Sequence, residues 1–252
     1  MSAGILVPDW PAPAAVRAAS SLRAGGVSPP PWDSLNLGDH VGDEPGRVAE
    51  NRRRLAEALA LPDEPAWLEQ VHGIRVLALD GDGLPASRAA DAAVTGRPGR
   101  VLAVLTADCL PVLLCRRDGT RVGAAHAGWR GLAAGVIEAA VAAMGSAPAG
   151  LLAWLGPAIG PAAYEVGPEV RDACLAGDPG AGACFAAGRG DRWHCDLPAL
   201  ARRRLARLGV AAVHGGAWCT ASDPARFFSH RRDGVTGRMA TLVWREGGLP
   251  GG

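Results

Sequence analysis

Residues 101–132 read VLAVLTADCLPVLLCRRDGTRVGAAHAGWRGL, and their periodicity decides the fold. Three apolar runs, Val101–Leu105, Pro111–Cys115 and Val122–Ala125, are separated by short polar stretches. Each is too short for a helix and apolar at successive positions, the pattern of a strand buried on both faces. The period then changes. From Trp129 to Met144, Leu132, Val136, Ile137, Ala140, Val141 and Met144 recur at helical spacing and predict one amphipathic helix. Outward from this block, buried strands are predicted at Leu151–Leu155, Val210–Val213 and Met239–Trp244, with half-buried ones at Ala66–Val71 and Arg75–Leu79. Pro45 opens a helix with Val48, Leu55 and Leu59 on one face, and Asp196 caps another that runs from Leu197 to Leu208 and stops at Gly209. Strands fall in groups of two or three instead of alternating strictly with helices. The expected fold is therefore α/β, a single layered domain over residues 1–252 with mixed β-sheets covered by helices. The Gly/Ala-rich stretch Leu175–Asp191 reads as a long surface loop, SHRRDGVTGR (229–238) as a hairpin turn with solvated arginines, and the final EGGLPGG as a frayed tail.

The charge count excludes several chemistries. All 26 basic side chains are Arg, so there is no lysine to reach a nucleotide phosphate from a P-loop, form a Schiff base or act as a base. Any anion bound by the chain must be met by Arg, backbone N–H groups or a metal. A net charge of +1 gives no reason to expect nucleic acid or an anionic membrane as a partner. The runs Arg52–Arg54 and Arg202–Arg204 read as solvated helix faces. MSAGILVPDWPAP lacks the early basic residue of a signal peptide, and the most apolar stretch, Val101–Cys115, is interrupted by Asp108 and Pro111. Six cysteines without a CxxC pair suit a reducing cytoplasm.

Three segments share one layout: a β-like run ends, and a side chain able to bind metal follows. They carry His72, Cys109 and His126. Strand ends in α/β proteins open into common crevices, so the three can meet. Spacings of 37 and 17 residues match no local zinc motif, and three readings stay open. The residues form an open three-ligand zinc site, Cys109 and His126 form a metal-free nucleophile–base dyad acting on an amide or acyl carbon, or each is an ordinary turn or core residue. Gly128–Gly131 begin the predicted helix beside His126, where backbone N–H groups and Arg130 would meet an anion. Side-chain amides are scarce, only Asn36, Asn51 and Gln70, each in a motif-like string. Asp108 beside Cys109 is a candidate orienter or base, and Arg23 a candidate cleft residue.

The succession RAGGVS, SLNLGDHVGDEP, NRRRL, QVHG, TADCLPVL, HAGWRGL, GPAIGPAAYEVGPEV and FFSHRRDGVTGR resembles the laccase-domain family, also called YfiH-like or multicopper polyphenol oxidase proteins. The resemblance runs from about Arg23 to Arg238 and implies an ordered family core over about 23–245. It implies a YfiH-like α/β fold with one zinc ion on His72, Cys109 and His126. It further implies phosphorolysis of purine nucleosides (adenosine, inosine, guanosine or methylthioadenosine), with deamination of adenosine in some members. On that expectation Arg130, Arg23 and Arg52 hold the anion, Asn36 and Gln70 bond ribose or base, and Asp108, or else Glu69, carries a proton in deamination. Ser21, Leu22 and Trp32 depart from the family pattern, which bears on substrate preference. The older family name suggests copper oxidation, but that chemistry needs about ten His, usually with His-x-His pairs. Only six are present and no two lie two apart, so a multicopper laccase cannot be built, although one Cys and two His can take copper in vitro. A metal-free amidase acting on an amide such as a cell-wall precursor is the alternative enzyme, and a non-catalytic zinc protein the alternative class. Oligomeric state is not legible.

Overall fold

The computed structural model describes residues 4–247. Strands β1–β9 are Ile5–Leu6, Val16–Ser21, Ala66–Trp67, Val76–Ala78, Ala92–Thr95, Leu102–Thr106, Leu110–Arg116, Val122–Ala127 and Leu151–Leu155. Strands β10–β14 are Glu165–Val166, Phe185–Ala187, Trp193–Cys195, Ala212–Gly215 and Met239–Arg245. Helices α1–α6 are Pro45–Leu59, Trp129–Ala134, Val136–Ala143, Pro168–Gly177, Leu197–Leu208 and His230–Asp233. A five-stranded sheet has the order β1-β2-β14-β6-β3, a six-stranded one the order β13-β9-β7-β8-β5-β4, and β10-β12-β11 form a small third. Both large sheets are mixed: β7 runs antiparallel to β8 and β9, while β13 is parallel to β9 and β3 to β6.

Side-chain alternation explains how the layers stack. A strand sends successive residues to opposite faces. In β6, Leu102 and Val104 enter a core shared with Leu113, Val122, Leu152 and Trp154 of the other large sheet. Their neighbours Ala103 and Leu105 face the opposite way, onto a core with Leu55 of α1 and Leu242. In β7, Val112 and Leu114 point outward against Leu132, Val136 and Ile137, on α2 and α3, and Leu200 and Leu205 of α5. The result is helix, sheet, sheet, helix, the mixed-sheet α/β fold expected. Strands β6 to β9 read as continuous apolar runs because helices or a second sheet cover both of their faces.

Several local expectations are corrected. The helix predicted over Trp129–Met144 is two helices, because Gly135 takes the left-handed conformation (φ 106°) and ends α2 where α3 begins. Leu175–Asp191 is not a surface loop. It holds the end of α4, a 3₁₀ turn over Pro179–Cys184 and β11, and it buries Cys184 and Phe185 in the helix-side core. Its small residues let the backbone pack closely, which composition alone disguised as a linker. SHRRDGVTGR opens with α6, not a hairpin: Ser229 accepts a hydrogen bond from Arg232 N and caps it. Ala66–Val71 shortens to the two residues of β3, and residues 248–252 of the predicted tail lie outside the described residues. The caps of α5, Asp196 and Gly209, are as predicted. No helix among the described residues is long and apolar enough to cross a membrane.

Candidate active site

His126 is the penultimate residue of β8, so it lies inside the strand and not in the turn after it. The residue is buried and registered against Pro111 of β7. Cys109 sits in the tight connection from β6 to β7, after Asp108, which holds a positive φ of 91°. His72 lies in the loop between β3 and β4, also at positive φ (59°). These three separate elements bring their donor atoms within 4.8 Å of one another. Cys109 Sγ is 3.9 Å from His72 Nε2, and the two imidazole rings meet edge to face at 4.8 Å. Gly128 passes so close that a Cβ there would lie 3.0 Å from Cys109 Sγ and 3.1 Å from His72 Cδ2. A side chain there would push Cys109 or His72 by a few tenths of an ångström, so glycine leaves the cluster undisturbed.

Asp91, at the entrance to β5, ties the cluster together. Its fully buried carboxylate is 2.8 Å from His126 Nδ1 and accepts the backbone N–H groups of Val71 (3.2 Å), His72 (2.9 Å) and Gly73 (2.6 Å). Burial works against the Asp91 charge, but His126 and the Gly73 and His72 N–H groups outweigh it and hold the carboxyl below its usual range. With Nδ1 engaged, the other ring nitrogen of His126 is left to act as a donor atom to a ligand. Burial likewise opposes a thiolate at Cys109, yet His126 and His72 bring that thiol down to about 6. Burial opposes the His126 cation in turn, and Cys109 and Asp91 raise it to about 9. The cluster is thus electrostatically prepared for a thiolate beside imidazoles. Nothing in the string DAAV marked Asp91 as a site residue; its partners lie up to 35 positions away.

The cluster opens on a cavity of about 450 Å³. Arg130, Arg231, Arg238, His40 and His230 line it against a single carboxylate, Asp108, with Trp129 and Tyr164 as aromatic surfaces. Each oxygen of Asp108 accepts one hydrogen bond, Oδ1 from Thr220 Oγ1 at 2.6 Å and Oδ2 from Arg231 N at 2.7 Å, which leaves further lone pairs free. Arg231 stacks over Tyr164, the only tyrosine of the chain, and donates from Nη1 to Glu165 O at 2.8 Å. Arg231 stays exposed, as the reading of 229–238 as solvated arginines has it, but Arg232, donating to the carbonyls of Thr220, Ala221 and Phe227, and Arg238 are drawn in and correct it in part.

The remaining sequence candidates are placed unequally. Arg130 lines the cavity and stacks on Trp129 at 4.3 Å, but α2 is only six residues long, so anion binding there falls to side chains. Gln70 also lines it, with both amide atoms committed to Leu105, Nε2 to O at 2.8 Å and Oε1 from N at 2.7 Å. Arg52 stands in an adjacent hollow with Glu69, stacked on Trp67 and bonded to Leu37 O and Asp39. Arg23 does not reach the cavity; Asp33 takes its Nε and Nη2 at 2.7 and 2.9 Å. Asn36 is fully buried away from it, bonded to Gly38, Asp43 and Arg238. Asn51 bonds Val27 N, Ser28 and Asn36 O and fastens the segment before α1.

Residues 17–246 match a family described as multi-copper polyphenol oxidoreductase laccase. The chain is 56% identical to the purine nucleoside phosphorylase YfiH of Escherichia coli K12 over 95% of its length and 98% of that protein. It is 55% identical to a purine nucleoside phosphorylase of Pseudomonas aeruginosa, over 95% of this chain and 97% of that one. A Neisseria meningitidis crystal structure superposes with a TM-score of 0.93 at 47% identity, over 97% of this chain and all of that one. YlmD from Geobacillus stearothermophilus superposes with a TM-score of 0.85 at 35% identity over 93% of each chain. With its fold and nearly its whole length in agreement, the chain belongs to this YfiH-like, laccase-domain family.

Proposed function

We propose that this chain is a zinc-dependent purine nucleoside phosphorylase acting on adenosine, inosine, guanosine or methylthioadenosine, with adenosine deamination as a side activity. The observation that carries the reading is the convergence of His72, Cys109 and His126 at a cavity with cationic and aromatic walls. The donor set fits zinc: one thiolate and two imidazoles on separate elements, with His126 oriented by a carboxylate and no fourth protein donor converging among the described residues. When bound, zinc supplies Lewis-acid polarisation of an oxygen ligand. The same three donors suit copper as well, and copper held there would give an adventitious oxidase signal without a multicopper mechanism.

In phosphorolysis a phosphate oxygen bonds to C1′ of the ribose, the C1′–N9 bond breaks, and its electron pair leaves with the purine, which takes up a proton. The cavity's cations suit the anionic reactant, and a cavity with one already engaged carboxylate does not favour a cationic substrate. Trp129 and Tyr164 offer faces for a purine. Asp108 is the one carboxylate lining the cavity among the described residues and is our candidate proton carrier for deamination. The chain works as one domain, in the cytoplasm, where its six free thiols remain reduced. Nucleosides and phosphate, not nucleic acid, are its partners.

The test is metal analysis of the purified protein together with phosphate-dependent release of base and ribose 1-phosphate, for the wild type and Cys109→Ala. Stoichiometric zinc and turnover in the wild type, both lost in the variant, are expected. A wild type with no zinc and no product from any purine nucleoside overturns the proposal, and turnover that survives thorough chelation removes the zinc.

A further inference from the structure

Three arginines line the cavity, Arg130, Arg231 and Arg238, and none has a carboxylate within ion-pairing distance among the described residues; Arg238 is the one that is not exposed. Its Nη1 donates to two backbone carbonyls, Thr236 O at 3.0 Å and Gly237 O at 3.1 Å. Neither Nε nor Nη2 has a protein acceptor, and no carboxylate lies within ion-pairing distance among the described residues. The other arginines weighed for this role differ. Arg23 pairs with Asp33 and Arg52 with Asp39, while Arg130 and Arg231 are exposed, Arg231 also spending Nη1 on a backbone carbonyl, Glu165 O. Arg238 lines the same cavity as His72, Cys109 and His126, and burial disfavours its cation. A half-buried guanidinium that lacks an anion is costly, and an arriving oxyanion removes that cost.

The backbone of Arg238 is pinned and its stem packed. Arg238 N donates to Asn36 Oδ1 at 2.9 Å, and Leu37 N donates to Arg238 O at 3.1 Å. The Arg238 stem lies on Gly38, where a Cβ would come within 2.7 Å of its Cγ. Asn36 itself is locked, donating from Nδ2 to Gly38 O (3.1 Å) and Asp43 Oδ2 (2.9 Å) while Oδ1 also accepts Gly38 N (3.0 Å). The string SLNLG therefore acts on the arginine at the end of FFSHRRDGVTGR, two motifs about 200 residues apart.

We infer that Arg238 is the phosphate-binding residue of the cavity, gripping two oxygens of the anion through Nε and Nη2, and that Asn36 and Gly38 are its positioning residues. Naming the anion as phosphate rests on the phosphorolysis reading; the oxyanion site itself does not.

The test uses the zinc-loaded protein with Arg238→Gln, Arg238→Lys and Gly38→Ala, with metal content and melting temperature measured for each. Inorganic phosphate is titrated calorimetrically, and KM is measured separately for phosphate and nucleoside. Arg238→Gln weakens phosphate about tenfold or more in both measurements, with zinc content and nucleoside KM unchanged. Arg238→Lys restores only part, because a point charge cannot grip two oxygens at once. Gly38→Ala raises the phosphate KM in the same direction by less. An unchanged phosphate affinity in a folded, zinc-replete Arg238→Gln overturns the inference, and an unchanged phosphate KM in Gly38→Ala overturns the positioning role. If the wild type turns over no nucleoside but still loses phosphate binding on Arg238→Gln, the oxyanion site stands and the phosphorolysis reading falls.

Discussion

His126 and Arg238 face one cavity from opposite kinds of structure. His126 is embedded in β8, with a strand on either side and a carboxylate on its ring. Arg238 enters just before β14 from an irregular segment and is steadied by a second irregular segment at Asn36–Gly38. A metal ligand must be placed to within a fraction of an ångström, which sheet registration provides for His126, with Cys109 and His72 in the connections beside it. An oxyanion tolerates rotation and needs charge and donors in the right region, which loops anchored on that scaffold can provide. The metal corner and the arginine wall therefore fail in different ways.

Removing the carboxylate from the metal corner is the strongest way to break it. Asp91→Asn keeps the shape but loses the charge that favours His126 as ligand and the full set of acceptors for residues 71–73. Zinc affinity, read by competition with a chromogenic chelator, is expected to fall about 10- to 100-fold while calorimetric phosphate affinity holds. Equal zinc affinity would mean that Asp91 does not organise the corner.

A smaller effect separates Cys109 from Cys115 at the far end of β7. In metal-stripped protein, site-resolved reaction with a small disulfide reagent should show Cys109 turning on as pH rises through about 6. The pKa is lowered, so the thiolate persists down to that pH and is lost below it. At pH 7 the gain over an ordinary thiol is only about fivefold, because roughly ninetyfold more thiolate is largely offset by its lower nucleophilicity. Cys115, pushed up to about 12 by burial, stays silent. A Cys109 midpoint near 9 would show that the imidazoles do not assemble without metal.

The smallest effect marks where the arginine wall ends. Arg23→Ala, outside the cavity and paired with a partly exposed Asp33, should shift the phosphate KM less than about twofold and stability by no more than about 1 kcal/mol. A tenfold change in KM would bring Arg23 back into the site.

The parts read correctly from sequence are those whose cause is local. Strands β6 to β9 announce themselves because both faces are covered, and α5 because its cap and its glycine stop adjoin it. Strand β5, Ala92–Thr95, carries too little bulk to register as a strand, and β2, Val16–Ser21, mixes small and polar residues. At the site, His72, Cys109 and His126 are legible as residues that follow β-like runs and from the family strings; their spacing leaves three readings open, and the fold, by bringing them within 4.8 Å, sets aside the one in which they are unrelated. Asp91 and Arg238 owe their roles to partners 35 and 202 positions away, which no local pattern encodes. Asn36 was noticed for its rarity and placed on substrate, whereas its amide bonds hold protein backbone and Asp43.

One carboxylate holds the ring of His126 and the backbone of His72. The two nitrogen ligands are therefore coupled before any ion arrives, and metal uptake and loop order become a single equilibrium. An ion that draws in either imidazole tightens the other through Asp91, and by reciprocity anything that loosens residues 71–73 weakens the hold on the ion. An ion bound there contributes its binding free energy to the loop and to the end of β8 together.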